Sequence, residues 1–111
     1  MNRQQAKNKF YIQGGNYSHI VKDCMLLRED QWEETHSFDK LFNFKWQPWA
    51  RGLQFGSVNS FGTRQIVNHL QNHNLLSTKH LLFENLALYC EAKKQNVFRT
   101  VPLTFTLETE H

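Results

Sequence analysis

Residues 9–25 read KFYIQGGNYSHIVKDCM, and this stretch indicates the class of fold. Its first five residues form a short β-like run that stops at Gly14-Gly15-Asn16, a strong turn signal. Ser18 is a suitable N-cap for the next segment, whose apolar residues have helical spacing. Those apolar residues are Ile20, Val21, Cys24 and Met25. The chain is therefore predicted to open with a strand, a glycine turn and a helix.

The rest of the chain continues this alternation. Short strands are predicted near Trp32, over residues 38–46 and over residues 103–107. A helix is predicted over residues 78–93, with Ser77 as its N-cap. Strands that alternate with helices indicate an α/β fold, so we expect a small, mostly parallel sheet flanked by helices. We predict a disordered, polar tail over residues 1–8 and a single α/β domain over residues 9–111.

The apolar residues of these elements define the predicted core. Cys90 belongs to it because it lies in a leucine-rich helix. The other members are Phe10, Ile12, Ile20, Val21, Cys24, Leu41, Phe42, Phe44, Ile66, Leu82, Leu86, Tyr89, Phe105 and Leu107.

Composition limits the classes of partner. The formal net charge is +3, which suits an anionic partner. The basic residues are scattered and form no dense stripe, so nucleic acid is not the expected partner. The two cysteines and the polar N-terminus, which lacks the apolar core of a secretory leader, favour a cytoplasmic protein. No apolar run approaches the roughly 20 residues that span a bilayer, so no membrane segment is expected.

Catalytic and metal motifs are incomplete. The Gly14-Gly15-Asn16 turn lies where a phosphate-binding loop would lie, but it lacks the spaced glycines or the Gly-Lys-Ser/Thr ending. His69 and His73 could share a helix face, yet zinc needs three or four ligands and no further ligand motif is present. No nucleophile has a positioned base. We therefore predict a tight turn, ordinary surface or capping histidines, no catalytic residue and no metal site.

Four segments in the second half follow a distinctive order: FNFKW (42–46), ARGLQFG (50–56), QIVNHLQNHNLLSTKHLLFENL (65–86) and FRTVPLTFTL (98–107). Together they resemble the N-terminal region of the tubulin–tyrosine ligase-like family, and residues 9–25 are more loosely similar. The resemblance covers about residues 9–107. The matching positions are Val67, Asn68, His69, Leu76, Thr78, Lys79, Leu82, Asn85, Pro102, Thr104, Phe105 and Leu107.

The resemblance implies an α/β domain similar to the one that precedes ATP-grasp ligase modules. Enzymes of that family use ATP and magnesium to attach tyrosine, glutamate or glycine to tubulin tails. Their nucleotide site and catalytic carboxylates belong to later regions, so no catalytic residue maps onto this chain and no cofactor is expected in it. The implied role is tubulin recognition, in the cytoplasm on the microtubule cytoskeleton or in a cilium.

Residues 45–64 form a long glycine-bearing loop that combines aromatic and cationic side chains, as binding hot spots do. We predict that this loop contacts tubulin; the alternative is that its two tryptophans fill the edge of the core. The candidate contact residues are Lys45, Trp46, Trp49, Arg51 and Arg64, with Lys79 beyond the loop.

Three interpretations stay open at this point. The chain is a domain or fragment of a larger tubulin ligase, or a standalone non-catalytic protein that binds microtubules or other ciliary proteins. In the third, the resemblance is accidental and the chain is an unrelated α/β module that binds RNA. A coherent basic face with stacking aromatics would favour RNA.

Overall fold

The computed structural model describes residues 5–107, and the chain divides into two compact units. The first unit covers Met1–Leu70 and the second covers Gln71–His111. Of the predicted tail over residues 1–8, residues 1–4 lie outside the described part, and a strand already begins at Asn8. Residues 108–111 of the predicted domain also lie outside it.

The first unit contains a four-stranded sheet and one helix. The helix is α1, Ser18–Leu26. The strands are β1 (Asn8–Ile12), β2 (Trp32–Glu34), β3 (Phe44–Trp46) and β4 (Ile66–Val67). Their order in the sheet is β2-β1-β3-β4, and every neighbouring pair is parallel. The predicted α/β class with a parallel sheet is confirmed, and the strand expected near Trp32 is β2.

Helix α1 lies over one face of the sheet. The register pairs Phe10 with Glu34 on β2 and with Phe44 on β3, so these side chains share a face. Lys22 on α1 forms a 3.1 Å salt bridge with Glu34, which places the helix over that face. A strand–helix–strand crossover of this kind is right-handed in nearly all proteins. The connections that run in the opposite direction, from β2 to β3 and from β3 to β4, are then expected on the other face.

The start of α1 differs by one residue from the prediction. Ser18 is the first helical residue, and the N-cap is Tyr17, with a left-handed φ of 59°. The Ser18 hydroxyl accepts a hydrogen bond from the Gly15 amide at 3.0 Å. The side chain therefore closes the glycine turn before the helix, which is why Ser18 marks this position without capping the helix.

The face of α1 that packs on the sheet also differs from the predicted one. Val21 and Met25 are half-buried, whereas Ile20 is 54% exposed and Cys24 is exposed. Apolar residues occur at both phases of this helix, and spacing alone does not choose between them. Packing on the sheet selects the pair Val21 and Met25.

Fully buried apolar side chains are few among residues 5–107. Phe10 is 1% exposed, Phe42 8% and Cys90 4%, and all three confirm predicted core members. Five predicted members are half-buried: Ile12, Val21, Phe44, Leu82 and Leu86. The prediction is wrong for seven exposed residues: Ile20, Cys24, Leu41, Ile66, Tyr89, Phe105 and Leu107. Strands this short offer little area to pack against, so apolar spacing overestimates burial.

Two predicted strands are corrected. Of residues 38–46, only Phe44–Trp46 is a strand, because the Asp39 carboxylate accepts bonds from the Leu41 amide at 2.8 Å and the Thr35 hydroxyl at 2.7 Å. These bonds favour a turn. Residues 102–107 form no regular element, and Pro102 has no amide hydrogen to give a sheet ladder.

The second unit is helical. Helix α2 covers Asn74–Ser77 and helix α3 covers Lys79–Ala92. The predicted N-cap Ser77 is the last residue of α2, and Thr78 precedes α3. Asn85 donates to the carbonyls of Leu75 and Leu81, which joins the two helices. No helix within residues 5–107 has the length and apolarity needed to cross a membrane.

Candidate functional site

The order of the strands identifies the carboxyl ends of the parallel strands, called here the carboxyl edge of the sheet, as a candidate site. From β1 the chain moves to β2 on one side, and it later returns to β3 and β4 on the other side. The connections that follow β1 and β3 therefore run in opposite directions across the sheet, which makes the carboxyl ends of these two strands a topological switch point. Open parallel α/β sheets bind their ligands in the crevice at such a point.

The two loops approach each other closely at this edge. The Gln13 amide donates to the Trp46 carbonyl at 2.9 Å, directly after the paired strands. A Cβ on Gly15 would lie 3.2 Å from Cγ of Pro48, and the φ of Gly15 is +114°. The backbone conformation strongly favours glycine here, and an added Cβ would also be a tight contact with the Pro48 ring. The glycine turn fits against the loop after β3, which gives the motif a structural role.

The loop after β3 is fastened by one pair of residues. The Gln47 amide donates to Oδ1 of Asn68 at 2.9 Å, and Nδ2 of Asn68 donates back to the Gln47 carbonyl at 2.8 Å. The same carbonyl lies 2.8 Å from Nε2 of His69, which donates in the Nε2-protonated tautomer. The Asn-His pair singled out by the family resemblance therefore holds the β3 loop to the end of β4.

The side chain of Gln47 extends this support along the loop. Its Nε2 donates to the carbonyl of Trp49 at 3.2 Å and lies 3.5 Å from that of Arg51. The Gln47 side chain thus holds the backbone of residues 47–51 through contacts within the loop itself. The side chains of Trp49 and Arg51 remain available to a partner, since Trp49 is 71% exposed and Arg51 is exposed.

Gln13, Trp49 and Arg51 line an open crevice of about 440 Å³ at the switch point. Within residues 5–107 the Arg51 guanidinium forms no salt bridge. The crevice therefore presents a cation with five donors beside a flat aromatic surface and an amide. This combination suits recognition of a carboxylate or another anionic group.

The other predicted contact residues have different surroundings. Lys45 is half-buried on β3, and Trp46 is half-buried with an indole N–H that has no hydrogen-bond partner among residues 5–107. Arg64 is exposed, and its carbonyl accepts a 3.0 Å bond from Asn43. Lys79 is exposed at the first position of α3, in the second unit. The structure brings only Trp49 and Arg51 together, and the contact role of the whole set stays a prediction.

The histidine pair does not adopt the arrangement that its spacing permits. Residues 69–73 are not helical, and Asn72 has a left-handed φ of 57°. Within the described residues, no group of three or more His, Cys, Asp or Glu side chains could hold a metal ion.

Sequence reasoning missed Gln13 and Gln47, and it named Asn68 only through the family resemblance and not as a support of this site. Gln13, Gln47 and Asn68 each follow directly after a strand, on β1, β3 and β4 respectively. An Asn or Gln at the carboxyl end of several parallel strands is the available signal. The frequency of Asn and Gln throughout the chain hides it, because it resembles a compositional bias.

The chain is 27% identical over 107 residues to Tubulin glycylase 3B of Tetrahymena thermophila. The match covers 96% of this chain and 9% of that protein, so the chain spans a small part of the relative's length. No protein-family model matches the chain, and no solved structure matches it. This similarity supports a relation to a region of a tubulin ligase, in line with the resemblance seen in the sequence.

Proposed function

Starting from that similarity, we propose that the chain is a tubulin-recognition region of a tubulin ligase and carries no active site of its own. In this proposal, ATP, magnesium and the catalytic carboxylates belong to other regions of a larger enzyme. The region acts on the microtubule cytoskeleton, in the cytoplasm or in a cilium. Its task is to bind the substrate and hold it for modification elsewhere.

The exposed pair Trp49 and Arg51 is the observation that carries the proposal. Gln47 and Asn68 fix the backbone beneath them, so little conformational entropy is lost when a partner binds. Tryptophan and arginine are the side chains that most often dominate binding energy at protein interfaces. Their position at the switch point adds a shaped crevice to this chemistry.

Charge supports an acidic partner. The chain has a net charge of +3, and Arg51 and Arg64 are both exposed. Attraction to an acidic surface such as that of tubulin would raise the rate of encounter and help to orient the partner. The attraction is screened over about 8–10 Å near physiological ionic strength, so binding should weaken as salt is added.

The test is co-sedimentation of the 111-residue chain with microtubules at low and at high salt. We expect pelleting at low salt, less at high salt, and less again with microtubules whose acidic tails have been removed by protease. Single-stranded RNA serves as the comparator. Binding to RNA without binding to microtubules would replace this proposal with the RNA-module alternative.

The same samples test whether the chain has catalytic activity of its own, and a larger ligase added to them separates the two tubulin-related interpretations. We expect that the chain alone neither hydrolyses ATP nor attaches an amino acid to tubulin, whether it is a domain of a ligase or a standalone binding protein. Detection of ATP-dependent ligation by the purified chain would contradict the assignment of catalysis to other regions. Microtubule binding without any effect on a larger ligase would favour the standalone protein.

A further inference from the structure

The face of the sheet opposite α1 contains a second cleft. The register places Tyr11, Lys45 and Val67 side by side on that face. Two connections without an α-helix cover it, residues 37–42 before β3 and residues 52–61 before β4. Between them lies a cleft of about 250 Å³, and Lys45 and Val67 contribute to its lining from the sheet.

Three charged residues line this cleft, Asp39, Lys40 and Lys45, and Lys45 is the cation among them that is half-buried, whereas Lys40 is exposed. The Nζ of Lys45 lies 3.4 Å from the Ser37 carbonyl and 4.4 Å from the centre of the Phe42 ring. No carboxylate among residues 5–107 forms a salt bridge with it. An ammonium group has three donors, so one long hydrogen bond and one ring contact leave most of its bonding capacity unused.

Asp39 is a carboxylate that also lines the cleft, and it already has hydrogen-bond and ion-pair partners. Its oxygens accept bonds from the Thr35 hydroxyl and the Leu41 amide, and Lys9 lies 3.7 Å away. Burial lowers the pKa of Lys45, and the charge of Asp39 offsets this only in part. A partly desolvated ammonium without a close anion is costly, and an anionic ligand would relieve that cost.

The walls of the cleft are fixed in place by a buried amide. Gln65 is 4% exposed, and its Nε2 donates to the Lys40 carbonyl at 2.7 Å. Its Oε1 accepts from the Asn59 amide at 3.0 Å, while its own amide donates to Oδ1 of Asn59 at 2.6 Å. One side chain therefore ties both covering segments to the start of β4. The cleft is preformed, which is typical of small-molecule sites.

The lining of the cleft combines polar and apolar side chains, and besides Lys45 its polar members are Ser37, Asp39, Lys40, Gln54, Ser57 and Gln65. Its apolar side chains are Phe38, Phe42, Leu53, Val58, Phe61 and Val67. A volume of about 250 Å³ is below the range of about 300–1,000 Å³ of sites for drug-sized ligands, so the occupant must be small. A ligand that fits must combine one anionic group with a compact apolar body.

We propose that this cleft binds a small organic carboxylate, with the carboxylate on the Lys45 ammonium and the apolar body against Phe42 and Val67. The site lies on a face of the sheet, whereas the Trp49–Arg51 crevice lies at the carboxyl ends of the strands. Lys45 also belongs to the predicted tubulin-contact set, but the ligand proposal does not rest on that contact. The site would give the domain a low-molecular-weight ligand of its own.

The probe is benzoate, titrated into the isotopically labelled 111-residue chain and followed by amide NMR, with benzamide and inorganic phosphate as comparators. We expect saturable benzoate shifts at Phe42, Lys45 and Val67. Benzamide keeps the ring without the charge, and phosphate keeps a charge without the ring. Each is expected to bind about tenfold or more weakly, since charged hydrogen bonds and apolar burial both contribute.

The matched variants are Lys45→Met, which keeps the length of the side chain, and Lys79→Met in the second unit as the control for charge. Benzoate affinity should fall about tenfold or more in K45M and stay unchanged in K79M. Equal binding of benzoate and benzamide to the wild-type chain would overturn the proposal, whether or not K45M folds. Unchanged affinity in a folded K45M, or phosphate binding as tight as benzoate, would also overturn it. Microtubule pelleting is measured separately on the wild-type chain, so that failure of the ligand proposal and failure of the tubulin proposal can be distinguished.

Discussion

The two units of the chain differ in the contacts that stabilise each of them internally. In the first unit, side-chain amides join segments far apart in sequence: Asn43 bonds to the Lys9 amide, 34 residues away, and Gln65 bonds to the Lys40 carbonyl, 25 residues away. In the second unit, Asn85 bonds to Leu75 and Leu81, ten and four residues away. The first unit is therefore organised by long-range polar contacts at strand ends, and the second by local helical ones.

This difference accounts for the location of both candidate binding surfaces in the first unit. The long-range amides fix loops, and loops supported by a rigid scaffold are the usual carriers of function. The Trp49–Arg51 crevice and the Lys45 cleft both depend on such amides in the first unit. The second unit instead exposes large apolar side chains along its length, including Leu88, Tyr89 and Phe105. Its described contacts provide no comparably fixed polar site.

The largest change in the free energy of unfolding is expected for substitutions in the cores, which allow the two units to be compared. Phe10→Ala should lower the free energy of unfolding by about 3–5 kcal/mol, because Phe10 is 1% exposed. Leu82→Ala on α3 removes a half-buried side chain, so a smaller loss of about 1–2 kcal/mol is expected. Urea unfolding of both variants measures the difference. A loss for Leu82→Ala as large as that for Phe10→Ala would show that the second unit contains the stronger core.

The next largest change is expected when a side-chain amide with long-range hydrogen bonds is removed, in comparison with one whose hydrogen bonds are local. Asn68→Ala removes both bonds to the Gln47 backbone and should cost about 1–3 kcal/mol. Hydrogen exchange at the Gln47 amide should accelerate as a result. Asn85→Ala removes local bonds in the second unit and should leave that amide protected. Unaltered exchange at Gln47 in Asn68→Ala would contradict the role given to the Asn-His pair.

A smaller effect is expected within the glycine turn of the first unit. Gly15→Ala introduces a Cβ 3.2 Å from Pro48 at a φ of +114° and should cost about 1–2 kcal/mol. Gly14→Ala has nothing within 4 Å of the added Cβ and should change stability by less than about 0.5 kcal/mol. Thermal melts compare the two variants. Similar melting temperatures would mean that the two loops at the switch point do not constrain each other.

The smallest effect is a dependence on pH. The Thr35 hydroxyl, the Leu41 amide and the Lys9 charge hold the pKa of Asp39 below its usual value of 3.8. A lowered pKa in the folded state stabilises the fold above that usual value, and the gain is lost as the pH falls through the folded pKa. Asp39→Asn should therefore reduce the loss of melting temperature between about pH 5 and about pH 2. Asp23→Asn on α1 is the control. An equal loss of melting temperature at acidic pH in the two variants would contradict the contribution of Asp39 to stability.

Local features of the fold were predictable from the sequence, because their signals lie within a few residues. The strand around Phe10, the turn at Gly14-Gly15 and the two longer helices all follow from spacing and turn chemistry. The inward phase of α1 was not predictable, since apolar pairs occur at both phases and the sheet chooses between them. A two-residue strand such as Ile66–Val67 has no pattern of its own.

The candidate site was predicted in part. Aromatic and cationic composition pointed to Trp49 and Arg51, which the structure places in one crevice. The same criterion could not distinguish them from Lys45, whose surroundings depend on residues 37–42 and 52–61 folding over the sheet. The supporting amides Gln47, Asn68 and Gln65 act over distances of up to 25 residues, and no local pattern encodes such pairings.

We propose that tubulin binds at the carboxyl ends of the parallel strands, and a pair of charge reversals distinguishes this surface from the opposite end of the sheet. Arg51→Glu changes the charge at the carboxyl edge, whereas Lys7→Glu makes the same change of charge just before β1, at the opposite end of the parallel strands. Both side chains are exposed, so the thermal melts should stay close to that of the wild-type chain. We predict that Arg51→Glu weakens microtubule co-sedimentation by about fivefold or more, with a smaller loss for Arg64→Glu and little change for Lys7→Glu. Equal pelleting of Arg51→Glu and Lys7→Glu would contradict this proposal.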